Sequence, residues 1–192
     1  LVALPLLGGA RAAAAVACAS LLAGALALSL QPRTLATLRV GAALAANICV
    51  LWPTSWNPSV MGKGLAYLAP KLQPQLEGAS LAQADRGTRI HHYRDGAEST
   101  VLVYDGGEGT PRAFVVNGRH EATSTPADMR NQYLLGHLPA LLHRGPVREG
   151  LVIALGSGMT AGCLALHAQR VTVVELARDV IDAARTFAGW NH

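Results

Sequence analysis

The chain has 192 residues, 51% of them hydrophobic, and a net charge of +4, enough for one medium domain and something small besides. The charge is modest, no basic cluster is dense and aromatic residues make up only 5%, which excludes the usual footprint of a nucleic-acid-binding protein. Cys18, Cys49 and Cys163 have neither disulfide-framework nor metal-ligand spacing and read as small buried hydrophobes.

Residues 1–56 contain no Asp or Glu and three Arg. Residues 12–30 are 19 uncharged residues between Arg11 and Arg33, about the length a bilayer core requires. Gln31-Pro32-Arg33-Thr34 reads as a turn, and residues 35–53 as a second span, with Trp52 and Trp56 at interfacial positions. The expectation is a transmembrane helical hairpin. Arg11, Lys63 and Lys71 lie on one side of it and Arg33 on the other, so the positive-inside rule places everything after Trp56 in the cytoplasm. That describes a multi-pass protein of the inner or plasma membrane, with the lipid bilayer as a partner. The chain begins at Leu1 inside an apolar run and stops after Asn191-His192, which reads as a fragment of a longer protein.

Residues 57–87 are a connector with Pro58, Pro70 and Pro74. From Thr88 the hydrophobic period becomes two. RIHHYRD, STVLVYD and RAFVVNG are short β-rich runs, and Gly106-Gly107-Glu108-Gly109 and Asn117-Gly118 supply turns. These predict a small antiparallel β-meander over residues 88–123. His91, His92 and His120 read as strand-surface residues, and no metal site is expected. Ser124-Thr125-Pro126-Ala127-Asp128 looks like a helix start. The helix runs to about Leu142, with Met129, Tyr133, Leu134, His137, Leu138 and Leu141 near one face and Pro139 placed to end or kink it. Tyr133 reads as core and His137 as a packed histidine.

Residues 151–175, LVIALGSGMTAGCLALHAQRVTVVE, are the most informative stretch. Val152 to Leu155 predict a strand covered by helices on both faces. In Gly156-Ser157-Gly158 one glycine allows the tight turn and another removes a Cβ from the ligand's path. A helix starts near Met159, and Gly162 lets it pack close to the strand. A second strand, Val171 to Val174, ends in Glu175, which lies 17 residues beyond Gly158. An acid there can accept two hydrogen bonds from a ribose diol. With Ala161 the turn reads as a dinucleotide site; with Gly162 it suits an S-adenosylmethionine-type nucleoside. The preceding meander and helix disfavour a simple dinucleotide domain, and residues 124–192 read as the start of an α/β Rossmann-like domain.

The succession VVNGRHEATSTPADMRNQYLLGHLPALLHRGPVREGLVIALGSGMTAG, then VTVVELARDVIDAARTF, resembles the spermidine/spermine synthase family of aminopropyltransferases. It looks more closely like the membrane-fused branch, which SWNPSVMGKGLAYL after the last apolar span also fits. The resemblance covers most of residues 50–192. It implies a methyltransferase-like Rossmann domain and decarboxylated S-adenosylmethionine as cofactor, without a metal. It also implies transfer of an aminopropyl group to a small putrescine-like amine, and it leaves room for a homodimer. By motif, Gly156, Ser157, Gly158 and Gly162 form the cofactor turn, Glu175 the ribose acid and Gln132 a residue beside the cofactor. Asp128 falls on an acid of the amine site and Asn117 on the Asp of the family's Asp-Gly. Met159 replaces the acid that holds the cofactor's amino group, Asn131 replaces a tyrosine, and the catalytic acid belongs beyond His192. These departures leave open whether the cofactor keeps its carboxylate, and the chain by itself is expected to be inactive. Two rival functions remain: a membrane transport or sensing protein with a non-catalytic nucleoside-binding domain, and an NAD-dependent oxidoreductase.

Overall fold

The computed structural model describes residues 3–29, 41, 44, 57–64 and 85–192. The chain divides into two compact units, Leu1–Trp56 and Asn57–His192.

In the first unit, helix α1 spans Ala3–Ser29, about 40 Å at the standard rise. It begins nine residues before the expected span at residue 12. Pro5 does not prevent this, because its missing N–H falls among the first-turn groups that have no helical partner anyway. Cys18 is exposed, against the expectation of burial. Among the described residues no helix is long and apolar enough to cross a membrane. The expected hairpin thus rests on sequence alone, and residues 35–53 lie outside the described residues except for Gly41 and Leu44.

The second unit starts with a short helix α2, Pro58–Gly62, capped by the Asn57 side chain. A four-stranded antiparallel meander follows: β1 Arg89–Asp95, β2 Thr100–Asp105, β3 Ala113–Val116 and β4 Arg119–Thr123, in that spatial order. Asn117 and Gly118 both take positive φ, 50° and 76°, as the two-residue β3–β4 turn requires. The near-continuous apolar run of β2 has a physical reason, since both of its faces are covered. Val101 and Val103 join Phe114, Met159, Val180 and Phe187 in one core, while Leu102 joins Ala113 and Val115 in a second. The histidines differ from the surface reading. His91 bonds to buried Asp105, and His120 Nε2 lies 3.3 Å from the Tyr104 hydroxyl.

A polar cluster ties α2 to the meander. Lys63 Nζ lies 2.8 Å from Asp85 and 2.7 Å from the Thr88 hydroxyl, and 4.7 Å over the Tyr104 ring. Asn57 and Ser59 also donate to Asp85. Burial alone would raise the Asp85 pKa; the hydrogen bonds from Lys63, Ser59 and Asn57 and the charge of Lys63 outweigh it and hold it at about 2, below the ordinary 3.8. A carboxyl depressed on folding stabilises fully above its unfolded pKa and loses that contribution as pH falls through the folded one. Acid melts followed by circular dichroism should therefore show about 1–2 kcal/mol lost between pH 3.8 and about 2. Asp85→Asn should flatten that limb; an unchanged limb would refute the assignment.

Helix α3, Pro126–Leu142, carries Thr125 as N-cap and Pro126 at its start. Pro139 does not end it. The carbonyl left unbonded belongs to Leu135, which is 66% exposed, so water can take that bond. The expected apolar face splits. Met129 and Tyr133 pack on the core and His137 bonds to His167, but Leu134, Leu138 and Leu141 are exposed. Where α3 meets helix α4, Met159–Ala165, it presents Gly136, and a Cβ there would meet the Thr160 carbonyl and Cys163.

Strands β5 (Glu149–Ile153) and β6 (Arg170–Val174) pair in parallel, Leu151 opposite Thr172. Helix α4, Met159–Ala165, connects them, and α5, Arg178–Ala184, follows β6, running into a 3₁₀ turn Arg185–Phe187. β5 starts three residues earlier than predicted and ends at Ile153, so Ala154 and Leu155 belong to the loop. Only one face of this pair is covered: Val152 is buried, while Leu151 and Ile153 are 61% and 78% exposed. No described element packs on the other face.

Candidate functional site

The site is the loop between β5 and α4. Ala154 adopts φ 68° and Gly156 and Gly158 adopt 55° and 85°, so three residues in five take the left-handed conformation. For alanine this carries strain of about 1 kcal/mol. The loop is braced from inside. Ala154 donates to the Val174 carbonyl at 2.8 Å, and the Gly158 N–H closes the turn on the Leu155 carbonyl at 3.0 Å.

Glu175 stands at the end of β6 and joins the two strand-end loops. One carboxylate oxygen accepts from the Leu155 N–H at 2.8 Å, the other from the Ala177 N–H at 2.9 Å. A carboxylate has about four acceptor positions. Two are thus spent on backbone amides, and the remainder are available to a hydroxyl ligand. Gln132, on α3, reaches the same loop. Its Oε1 lies 3.5 Å from the Ser157 hydroxyl, its backbone carbonyl accepts from Thr160 at 3.1 Å, and its Nε2 lies 3.5 Å from the Glu121 carbonyl. Ser157 is buried.

The three glycines have different neighbours. A Cβ at Gly156 would meet nothing within 4 Å, so this is the side from which a ligand can approach the backbone. A Cβ at Gly158 would lie 2.9 Å from the Asn191 amide nitrogen, and one at Gly162 would fall on the Asn191 carbonyl. Gly162 was read as letting the helix approach its strand; what approaches it is the segment after α5. The Asn191 side-chain amide donates to the Ser157 and Ala184 carbonyls, both at 2.9 Å. Sequence reasoning missed Asn191, because it lies 34 residues from Ser157 and no local pattern marks it.

Met159 is fully buried in the core with Phe114 and Phe187, so its side chain serves packing and not the loop. Asp128 is one helical turn before Gln132, but its carboxylate accepts from the Thr123 N–H and so fixes the entry to α3. Asn117 accepts from the Thr100 N–H at 2.9 Å in the β3–β4 turn. The structure thus gathers Gln132, Ser157, Glu175 and the glycines around one loop and gives Asp128 and Asn117 structural bonds elsewhere. Among the described residues no cluster of three metal-ligating side chains occurs.

No family model and no curated protein matches the chain. Among solved structures it is similar to spermidine synthase from Thermotoga maritima, at 22% identity and a TM-score of 0.46 over 52% of this chain and 35% of that one. It is likewise similar to a spermidine synthase in complex with the transition-state analogue AdoDATO, at 21% identity and a TM-score of 0.47 over 54% of this chain and 36% of that one. The chain spans about a third of the length of these two structures.

Proposed function

We propose that the loop around Gly156 binds an S-adenosyl nucleoside, and that the protein is a spermidine-synthase-like transferase moving an aminopropyl group to a small amine. The carrying observation is the Glu175 carboxylate, held between two strand ends beside the one loop glycine that opens to free space. The residues fit such a group in part. Glu175 would take the ribose hydroxyls and Gln132 would line the edge of the loop, whereas Met159 is committed to the core and offers nothing to an amino group. When bound, the nucleoside supplies an electrophilic methylene beside a sulfonium, and the chain's task is to orient it and keep water away. The buried position of Met159 favours a second reading, in which the nucleoside is bound without polyamine chemistry.

Calorimetry with S-adenosylmethionine, its decarboxylated form and NAD separates the cofactor classes. Binding of either S-adenosyl compound supports the proposal, and binding of NAD alone overturns it. Glu175→Gln should weaken nucleoside binding about 10- to 100-fold, the equivalent of losing charge-assisted bonds worth about 1.5–3 kcal/mol. The amide's NH2 would also face the Leu155 or Ala177 N–H, donor against donor. Affinity within twofold of wild type would exclude Glu175 as ribose ligand.

The reading includes an anchor: residues 12–30 and 35–53 as a membrane hairpin that holds the nucleoside-binding unit at the cytoplasmic face of the inner or plasma membrane. The 19 uncharged residues and the acid-free N-terminal segment support it. Recovery of the protein in the soluble fraction without detergent would refute it.

A further inference from the structure

We propose that Asn191 is a positioning residue: it holds the glycine loop in the conformation that accepts a nucleoside. The inference rests on the nucleoside reading for its ligand, but its geometric basis is independent of it.

Asparagine fits this place for a chemical reason. Its side-chain amide has two N–H donors, and each is used on a different carbonyl. One goes to Ser157 in the middle of the loop, the other to Ala184 at the end of α5. The Ala184 carbonyl lies where α5 runs into the 3₁₀ turn Arg185–Phe187. A single planar group thus links the loop to the helix after β6. The Ser157 carbonyl and the Gly158 N–H belong to the same peptide plane. Asn191 holds the first, and the Leu155 carbonyl holds the second at 3.0 Å. That plane is therefore fixed at both ends, between the two left-handed glycines.

Asn191 is itself held in place. Its backbone N–H donates to the Phe187 carbonyl at 3.1 Å. The preceding carbonyl, of Trp190, accepts from the Tyr133 hydroxyl at 3.0 Å, and the Trp190 ring lies against Phe187 and under the Arg112 guanidinium. Gly158 and Gly162 leave room for Asn191, whereas a Cβ at Gly156 would meet nothing within 4 Å. The chain therefore fills the space beside Gly158 and Gly162 with Asn191 and leaves the space beside Gly156 open. Two of the three motif glycines answer to this internal contact.

The test uses the whole chain and two variants. Asn191→Ala removes both donors. Asn191→Asp keeps the shape but points a carboxylate at two carbonyls, and at low pH its protonated form can donate again. The first readout needs no ligand: amide hydrogen exchange of residues 155–160, followed by mass spectrometry. Exchange there should quicken tenfold or more in both variants at neutral pH, while the strands of the meander keep wild-type protection. In Asn191→Asp the effect should shrink as pH is lowered, after correction for intrinsic exchange. The second readout is calorimetry with S-adenosylmethionine and its decarboxylated form, where affinity should fall at least tenfold. Unchanged exchange in the loop would overturn the proposal, as would quickening spread evenly over the meander. Asn191→Asp binding like wild type at neutral pH would overturn it too. A wild-type chain that binds neither nucleoside, with a loop that still loosens in the variants, would refute the nucleoside reading and leave the loop-holding role standing.

Discussion

Phe187→Ala is expected to destabilise the unit Asn57–His192 by about 3–5 kcal/mol, measured by urea titration with circular dichroism and tryptophan fluorescence. Phe187 is fully buried, with its ring 5.9 Å from that of Phe114 and 5.6 Å from that of Trp190. Phe114 belongs to β3 of the meander, and Phe187 to the turn after α5. Val101, Val103, Met159 and Val180 complete the same core. Truncation would leave a cavity at the joint of the two layers, where neither side can collapse without giving up its hydrogen bonds. A typical domain has about 5–15 kcal/mol in total, so the variant should be close to unfolding. Phe187→Leu, which keeps most of the volume, should cost much less. A loss below about 1 kcal/mol for the alanine variant would mean that this core does not join meander and loop.

Gly136→Ala should also be damaging, though less so, even though it replaces glycine by the best helix former. In an exposed helix the change would gain about 1 kcal/mol. Here the new Cβ would stand 2.5 Å from the Thr160 carbonyl oxygen and 2.6 Å from the Cys163 Cβ. Neither neighbour is a flexible side-chain end, so α3 must move away from α4. Overpacking of this kind costs about 1–3 kcal/mol, and the displacement carries Gln132 away from Ser157 and His137 away from His167, now 2.7 Å apart. Set against the propensity gain, we expect a net loss of up to about 2 kcal/mol in thermal melts, with weaker nucleoside binding. Gly189→Ala, where a Cβ meets nothing within 4 Å, is the control. A Gly136→Ala protein more stable than wild type would show that the two helices have slack.

Local signals made much of the chain legible. Period-two runs and Asn117-Gly118 marked the meander, because a hairpin with two positive φ values needs that turn chemistry. Thr125 and Pro126 marked the start of α3 for the same kind of reason, since capping is a short-range bond. What stayed hidden was long-range. A hydrophobic stripe on α3 could be read, but the close approach to α4 is made at Gly136, and a small residue gives no periodic signal. Met159 could be seen as a departure from an acid, yet only the fold shows it filling the core beneath Val101 and Phe114. Glu175 was readable as an acid at a strand end, but its bonds to Leu155 and Ala177 depend on how two loops meet. Val152 to Leu155 read from sequence as covered on both faces, yet Ile153 is exposed, because an apolar strand carries no local mark of which face is covered.

The segment of residues 185–192 closes the hydrophobic core with Phe187 and the glycine loop with Asn191. Occupancy of the loop and cohesion of the meander therefore draw on one shared strap, and the two equilibria are linked. On the proposed reading, a nucleoside at a hundred times its dissociation constant would add about 2.7 kcal/mol to the folded state. Through residues 185–192, that increment would also reach β2 and β3, whose Val101, Val103 and Phe114 share the core with Phe187.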